Sequence, residues 1–292
     1  MLLNGILILC LLLAVLQAVL GNIWLLPVYF LLDFLGTIVA AFLFLLVACQ
    51  LVDKEKEQTQ DSKFFRVMAK QYVDLVIRLV RLQVNTKGLE KLPEDGRFLL
   101  VCNHIHDLDP AILLHCFPDA QLAFIAKRET RDYFLIGAVL HKLQCQLINR
   151  ENDKEALKSI IKCIQIIKED KASIAVFPEG YVSLDGKLRH FRSGVLKIAQ
   201  KAGVPIVVCT LQGTKQVLPK LAKLQRAQVD VHLVDVISAE EVKSSNTVEL
   251  AEVIYEKMIT DIGEMYRSDE KAMHPDLQRA RMEQQTEICK DT

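Results

Sequence analysis

The first 52 residues of this chain carry one charge, Asp33, and no other feature limits its folding so strongly. Residues 2–21, LLNGILILCLLLAVLQAVLG, are about as many as one helical membrane crossing needs. A break follows at Asn22 and Pro27, and then a second apolar run at 28–52. Two helices folded as a hairpin fit this pattern, because backbone in lipid must satisfy its own hydrogen bonds. A cleaved signal peptide fits poorly: no basic segment precedes the first run, and a second apolar run follows it directly. Asp33 is expensive at the bilayer centre unless it is paired or near an interface, so a shallow re-entrant hairpin stands beside a full crossing. Lys54, Lys56, Lys63, Arg66 and Lys70 make the next segment basic. The positive-inside tendency then places the rest of the chain on the cytoplasmic face of the cell membrane.

Beyond the hairpin (1–52) the sequence divides into a linker helix (53–82), a globular domain (83–268) and a polar appendage (269–292). Between 64 and 82 apolar residues recur at helical spacing with basic residues among them. This suits a helix lying on the bilayer, a bridge packed on the domain, or ordinary core packing. In the domain, short apolar runs at 98–102, 122–125, 174–177, 204–209 and 229–236 predict strands, the last alternating and half-exposed. Helical periodicity lies between them. Ala156, Leu157, Ile160, Ile161, Ile164 and Ile167 share one predicted face, and Leu250, Ile254, Met258, Ile262 and Met265 another. Strands interleaved with helices imply an α/β fold, a largely parallel central sheet flanked by helices.

Lys+Arg and Asp+Glu balance at 36 each, which gives no reason to expect a nucleic-acid partner. The eight cysteines include no CxxC pair, so neither a zinc ribbon nor a dithiol redox site is suggested, and buried thiols are expected. Without GxGxxG or a Walker motif, no nucleotide cofactor is expected.

Chemistry concentrates in VCNHIHDLDP, Val101 to Pro110. An apolar strand ends there and Pro110 opens a helix, with Asp109 suited to its N-cap. The tight turn brings His104 back toward Asp109, and a carboxylate can hold a histidine in one tautomer with its other nitrogen free as a base. A hydrogen-bonded turn without chemistry is the plain alternative. A metal site is weaker, because HxHxDH starts at His104 and His106 but meets Leu108 and Asp109 where Asp and His are needed. A second polar break, Phe177-Pro178-Glu179-Gly180, brings Glu179 to the same sheet edge if the two strands run parallel. There it can hold an acceptor hydroxyl or position backbone, or the stretch is an ordinary turn. Lys187, Arg189, His190 and Arg192 follow within six residues, and Arg150 closes the string LINR. Each can hold a phosphate or simply belong to a basic surface loop.

Together these strings resemble the glycerophospholipid acyltransferase family. Its histidine–four residues–aspartate signature corresponds to NHIHDLD (Asn103 to Asp109), its second block to LINR (Leu147 to Arg150), its third to FPEGYVS (Phe177 to Ser183) and its fourth to VPIVV (Val204 to Val208). The resemblance implies a membrane O-acyltransferase with His104 and Asp109 as the general-base pair. It implies substrate contacts from Glu179, Gly180, Arg150, Lys187, Arg189 and Arg192, and needs neither a cofactor nor a metal. The partners it implies are acyl-CoA or acyl-carrier protein as donor, a lysophospholipid as acceptor, and membrane lipid. Two departures stand out. Tyr181 and Val182 replace the family's Thr-Arg, whose arginine grips acceptor phosphate, and Val208 replaces a second proline. An acceptor other than 1-acylglycerol 3-phosphate, whether another lysolipid or an acylated amino acid, is therefore the enzymatic alternative. A lipid-binding membrane protein is the non-enzymatic one.

Overall fold

The computed structural model describes residues 2–149 and 153–268. Two apolar helices open the chain, α1 (Leu2–Leu20) and α2 (Leu26–Gln50), each long and apolar enough to cross a membrane. They pack as the expected hairpin. Ile6, Cys10, Ala14 and Ala18, four apart on α1, are the buried face. Pro27 sits in the first turn of α2, where a missing N–H costs no helical bond. Gln17 Nε2 donates to Asp33 Oδ1 at 3.2 Å across the hairpin's own interface, while Asp33 Oδ2 is buried with no hydrogen-bond partner among the described residues.

Helix α3 (Lys63–Leu79) starts at Ser62, whose side chain accepts from Phe65 N–H. It bridges hairpin and domain. Its Gln71 accepts from the Leu2 N–H at 3.0 Å, its Tyr72 donates to the Ala41 carbonyl, and Phe64 meets Phe44 edge-on. Phe65 and Met68 join Cys49 in a small core at the hairpin's foot, while Phe64 and Val67 face outward.

The domain continues through β1 (Gln83–Lys87), β2 (Leu99–Cys102), α4 (Asp109–Cys116), β3 (Leu122–Lys127), α5 (Ile136–Lys142), β4 (Gln146–Ile148), α6 (Asp153–Lys168), β5 (Ser173–Val176), α7 (Lys197–Ala202), β6 (Ile206–Gln212), α8 (Val217–Ala222), β7 (Gln228–Ile237), α9 (Ala239–Ser244) and α10 (Thr247–Ile262). The sheet order is β1-β7-β6-β2-β5-β3-β4. From β6 to β4 every pairing is parallel; β7 runs against β6, and β1 follows β7. The central strands are buried along their length because helices cover both sheet faces, which is why they show as unbroken apolar runs. Strand β7 alternates, with Gln228 and Asp230 exposed and Val229 and Val231 buried.

Four features differ from the sequence expectation. Strands β1 (QVNTK) and β4 (QLI) were not foreseen. Both are sheet edges, one polar and one three residues long, and neither carries an apolar run. On α6 the face is rotated: Cys163, Ile166 and Ile167 are buried, whereas Leu157 and Ile161 are exposed. Met265 is exposed because α10 ends at Ile262 and Gly263 turns the chain away. The polar stretch 269–292 lies outside the described residues.

Attachment through an apolar hairpin gives a direct expectation. The full chain stays in the membrane fraction through high-salt and carbonate washing, since salt screens charges but does not weaken apolar burial. Release by salt alone, measured by blotting the supernatant, would contradict it.

Candidate active site

Strand β2 delivers its last residues to the sheet's C-terminal edge, where they are pinned at once. Asn103 donates through Nδ2 to the Leu211 carbonyl at 2.9 Å and accepts from Leu211 N–H at 2.7 Å, tying the exit of β2 to β6. Both backbone groups of His104 are then held by the segment after β5. Its N–H donates to Glu179 Oε1 at 2.8 Å, and its carbonyl accepts from Ser183 N–H at 2.7 Å. The imidazole stacks on Phe177, with ring centroids 4.1 Å apart and planes 16° from parallel.

His104 Nδ1 lies 2.9 Å from Asp109 Oδ2. Asp109 is fully buried, and the same oxygen accepts from the N–H groups of Ile105 (2.7 Å) and His106 (2.9 Å). Its other oxygen accepts from the Thr214 hydroxyl at 2.7 Å. A carboxylate accepts only, so Nδ1 carries the ring proton and Nε2 keeps its lone pair. The histidine side chain is 14% exposed, so the ring is not sealed in the interior. An imidazole held in one tautomer and one orientation, an arrangement that can serve as a base, is therefore in place. Asp109 is not the N-cap that the sequence suggested. It is the first residue of α4, Leu108 precedes it as cap, and its carboxylate turns back to the loop N–H groups. His106 serves the same turn, its Nδ1 accepting from Leu108 N–H at 3.2 Å.

Glu179 reaches the same edge because β2 and β5 pair in parallel. Its oxygens accept from two backbone N–H groups, His104 at 2.8 Å and Arg189 at 2.9 Å, and the side chain is buried. Of the two roles open from sequence, holding a hydroxyl or positioning backbone, this geometry provides the second. Burial pushes its carboxyl up to about 8, against the pull of the two N–H donors. The folded value exceeds the ordinary 4.5, so the stability it contributes is complete below that pH and is lost as pH rises through about 8.

The basic cluster separates. Gly180 has φ 83°, and a Cβ built there would lie 3.0 Å from Arg192 Nε, so the arginine side chain folds over the turn. Arg192 N–H donates to the Pro178 carbonyl at 2.9 Å, and its guanidinium has no carboxylate partner among the described residues. Arg189 is paired with Asp185 at 2.5 Å. Lys187, half-buried on the same excursion, donates its N–H to Asp185 Oδ1 at 3.1 Å. His190 stacks on Tyr255 of α10, away from His104. Arg150 lies outside the described residues. Cys102 is fully buried, and burial raises its thiol well above the ordinary range, so it offers no thiolate.

Sequence reasoning missed Asn103, Ser183 and Thr214 as supports. Thr214 is 105 residues from Asp109, and the visible signal was only the glycine before it. Gly213 has φ 92°, and a Cβ there would meet the Gln228 carbonyl oxygen at 2.4 Å, so only glycine makes this turn.

Residues 83–212 match the family model described as "Acyltransferase". A probable 1-acyl-sn-glycerol-3-phosphate acyltransferase of Mycoplasma pneumoniae is 36% identical over 166 residues, 53% of this chain and 61% of that protein. The match thus spans less than two thirds of that relative's length. The 1-acyl-sn-glycerol-3-phosphate acyltransferase of Borreliella burgdorferi is 27% identical over 62% of this chain and 73% of its own. The crystal structure of the 1-acyl-sn-glycerophosphate acyltransferase from Thermotoga maritima superposes with a TM-score of 0.60 at 25% identity, covering 82% of this chain and 94% of that one.

Thr214→Val removes one donor to a buried carboxylate while keeping the side chain's shape. It should lower unfolding stability by about 1.5–3 kcal/mol, measured by denaturant titration in detergent, and Thr214→Ser should recover most of the loss. Equal stability of all three proteins would refute the role assigned to Thr214.

Proposed function

We propose that the chain is a glycerophospholipid acyltransferase, as its match to the acyltransferase family model and its likeness to 1-acyl-sn-glycerol-3-phosphate acyltransferases support, and that it moves a fatty acyl group from an acyl thioester to the free hydroxyl of 1-acylglycerol 3-phosphate. The observation that carries this reading is the His104–Asp109 pair, with Nδ1 committed to a buried carboxylate at 2.9 Å and Nε2 left to accept a proton. As the acceptor oxygen attacks the thioester carbonyl, Nε2 takes the hydroxyl proton, and Asp109 stabilises the imidazolium that forms. The tetrahedral intermediate then collapses, the C–S bond breaks, and the departing thiolate recovers the proton from His104. No covalent enzyme intermediate is required. Either acyl-CoA or acyl-carrier protein supplies such a thioester. In this reading the hairpin holds the enzyme at the lipid that contains its acceptor, and the basic stretch after it supports a cytoplasmic orientation of the catalytic domain.

Arg192 is our candidate for the acceptor phosphate. Val182 occupies the place of the family's arginine, and Arg192, folded over Gly180, brings a guanidinium back to the same turn. The specific observation favouring a second reading is that same Val182, since another lysolipid or an acylated amino acid needs no phosphate grip.

His104→Ala should lower acyl transfer by about 10²–10⁴-fold with the fold intact, while Cys102→Ala leaves the chemistry nearly unchanged. A folded, fully active His104→Ala enzyme would end the general-base mechanism.

Arg192→Lys loses the paired hydrogen bonds that a guanidinium makes to phosphate. Its apparent KM for lysophosphatidate should rise by about 10-fold or more, a cost of roughly 1.5 kcal/mol. The effect on a zwitterionic acceptor assayed in parallel should be much smaller. An equal change on both acceptors would favour the second reading.

A further inference from the structure

Taking the acceptor's proton charges the His104 ring, and the surroundings of that ring have to accept a cation. Its edge is provided for: Nδ1 donates to Asp109 Oδ2 at 2.9 Å, and the carboxylate counters the charge that forms. The same oxygen also accepts from the N–H groups of Ile105 and His106, and Thr214 donates to the other oxygen. These three further donors already stabilise the carboxylate's charge, which leaves less of it for the imidazolium.

The face of the ring depends on Phe177. The two ring centroids are 4.1 Å apart and the planes 16° from parallel, so water cannot solvate a cation on the covered face. An aliphatic side chain there would set the charge against apolar atoms that do nothing to replace the lost water. A phenyl ring presents the negative side of its quadrupole to whatever stacks on it, and attracts a cation most strongly where water is excluded. Neutral imidazole carries no net charge to be attracted, so this contact strengthens as the proton arrives.

Phe177 is fixed in that position from several directions. It follows Val176, the last residue of β5, which pairs with Val101 of β2. Its carbonyl accepts from the Gly180 N–H at 3.0 Å, closing the turn that carries Glu179 inward. Toward β3 lies the buried Phe124, with ring centroids 6.3 Å apart and planes 15° from parallel. His104, Phe177 and Phe124 thus make one series of near-parallel rings, in the order of their strands β2, β5 and β3.

We propose that Phe177 is a positioning residue whose ring face stabilises the imidazolium of His104 during acyl transfer. It acts through the charge distribution of its ring and not only through its volume. This role presupposes the base proposed for His104, and adds to it a group that the sequence showed only as the first letter of FPEG.

Full-length enzyme is made with Phe177→Leu and, in separate chains, with Phe177 exchanged for mono-, di- and trifluorinated phenylalanine. The fluorinated rings keep nearly the same shape while their faces lose negative charge. The donor is acyl-CoA or acyl-carrier protein, whichever the unaltered enzyme uses, and single-turnover transfer at saturating acceptor reads the chemical step. An interaction made only in the transition state changes that rate and leaves KM where it was. The rate should fall stepwise with fluorination, by roughly 3- to 10-fold at the trifluorinated ring, and at least as far with Phe177→Leu. His104→Ala is assayed beside the series. If that variant is inactive while the rate ignores fluorination, or the loss is carried wholly by KM, the role of the ring face is overturned and the base stands. A fully active His104→Ala enzyme removes the base and the role of Phe177 with it.

Discussion

A carboxylate with no exposed surface cannot stay ionised in a protein interior without donors, and Asp109 has four. Leaving a buried charge short of partners costs several kcal/mol, about as much as a domain of this size has to spare. The chain around it is shaped by that requirement. The loop after β2 presents two N–H groups, α4 begins at the aspartate itself, and β6 turns at Gly213 to bring in Thr214. The ring proton of His104 is the fourth donor. The histidine is thus oriented by the same interaction that makes burial of the aspartate tolerable.

Glu179 does for the loops what Asp109 does for the ring. One carboxyl group joins the backbone at His104 to the backbone at Arg189, and Asn103 joins β2 to β6 a residue earlier. Three neighbouring strand ends are cross-tied by side chain to backbone bonds, with little slack in the atoms that carry the imidazole. This explains why Gly180 has a positive φ and why Arg192 lies over it. The turn must leave Glu179 inward and Ser183 N–H on the His104 carbonyl, and the positive φ it takes at residue 180 favours glycine, with the Arg192 side chain close against it.

Much of this was legible in the sequence. The hairpin, the buried central strands and the His104–Asp109 pairing follow from runs and spacings that local rules read well. What failed has a common cause. Strands β1 and β4 belong to the sheet only through a neighbour, so their own residues carry no signal. The face of α6 is set by what packs over it, which moved burial from Leu157 and Ile161 to Cys163 and Ile166. Asp109 has a sequence that suits an N-cap, yet stronger use for its carboxylate lies in the loop behind it and in a threonine 105 residues on.

The hairpin and His104 are also mechanically close. Asp74 of α3 accepts from His115 Nδ1 at 2.6 Å and pairs with Lys70 at 3.1 Å, tying α3 to the last turn of α4. Asp109 opens that same eight-residue helix. On its other side α3 holds Leu2 through Gln71 and Ala41 through Tyr72. Two helices therefore separate the hairpin's backbone from the carboxylate that orients His104, and side-chain hydrogen bonds join each step. A short helix transmits position rather than flexing, because bending it would break bonds that repeat every turn. The hairpin thus bears on the position of the His104 edge as well as tethering the domain.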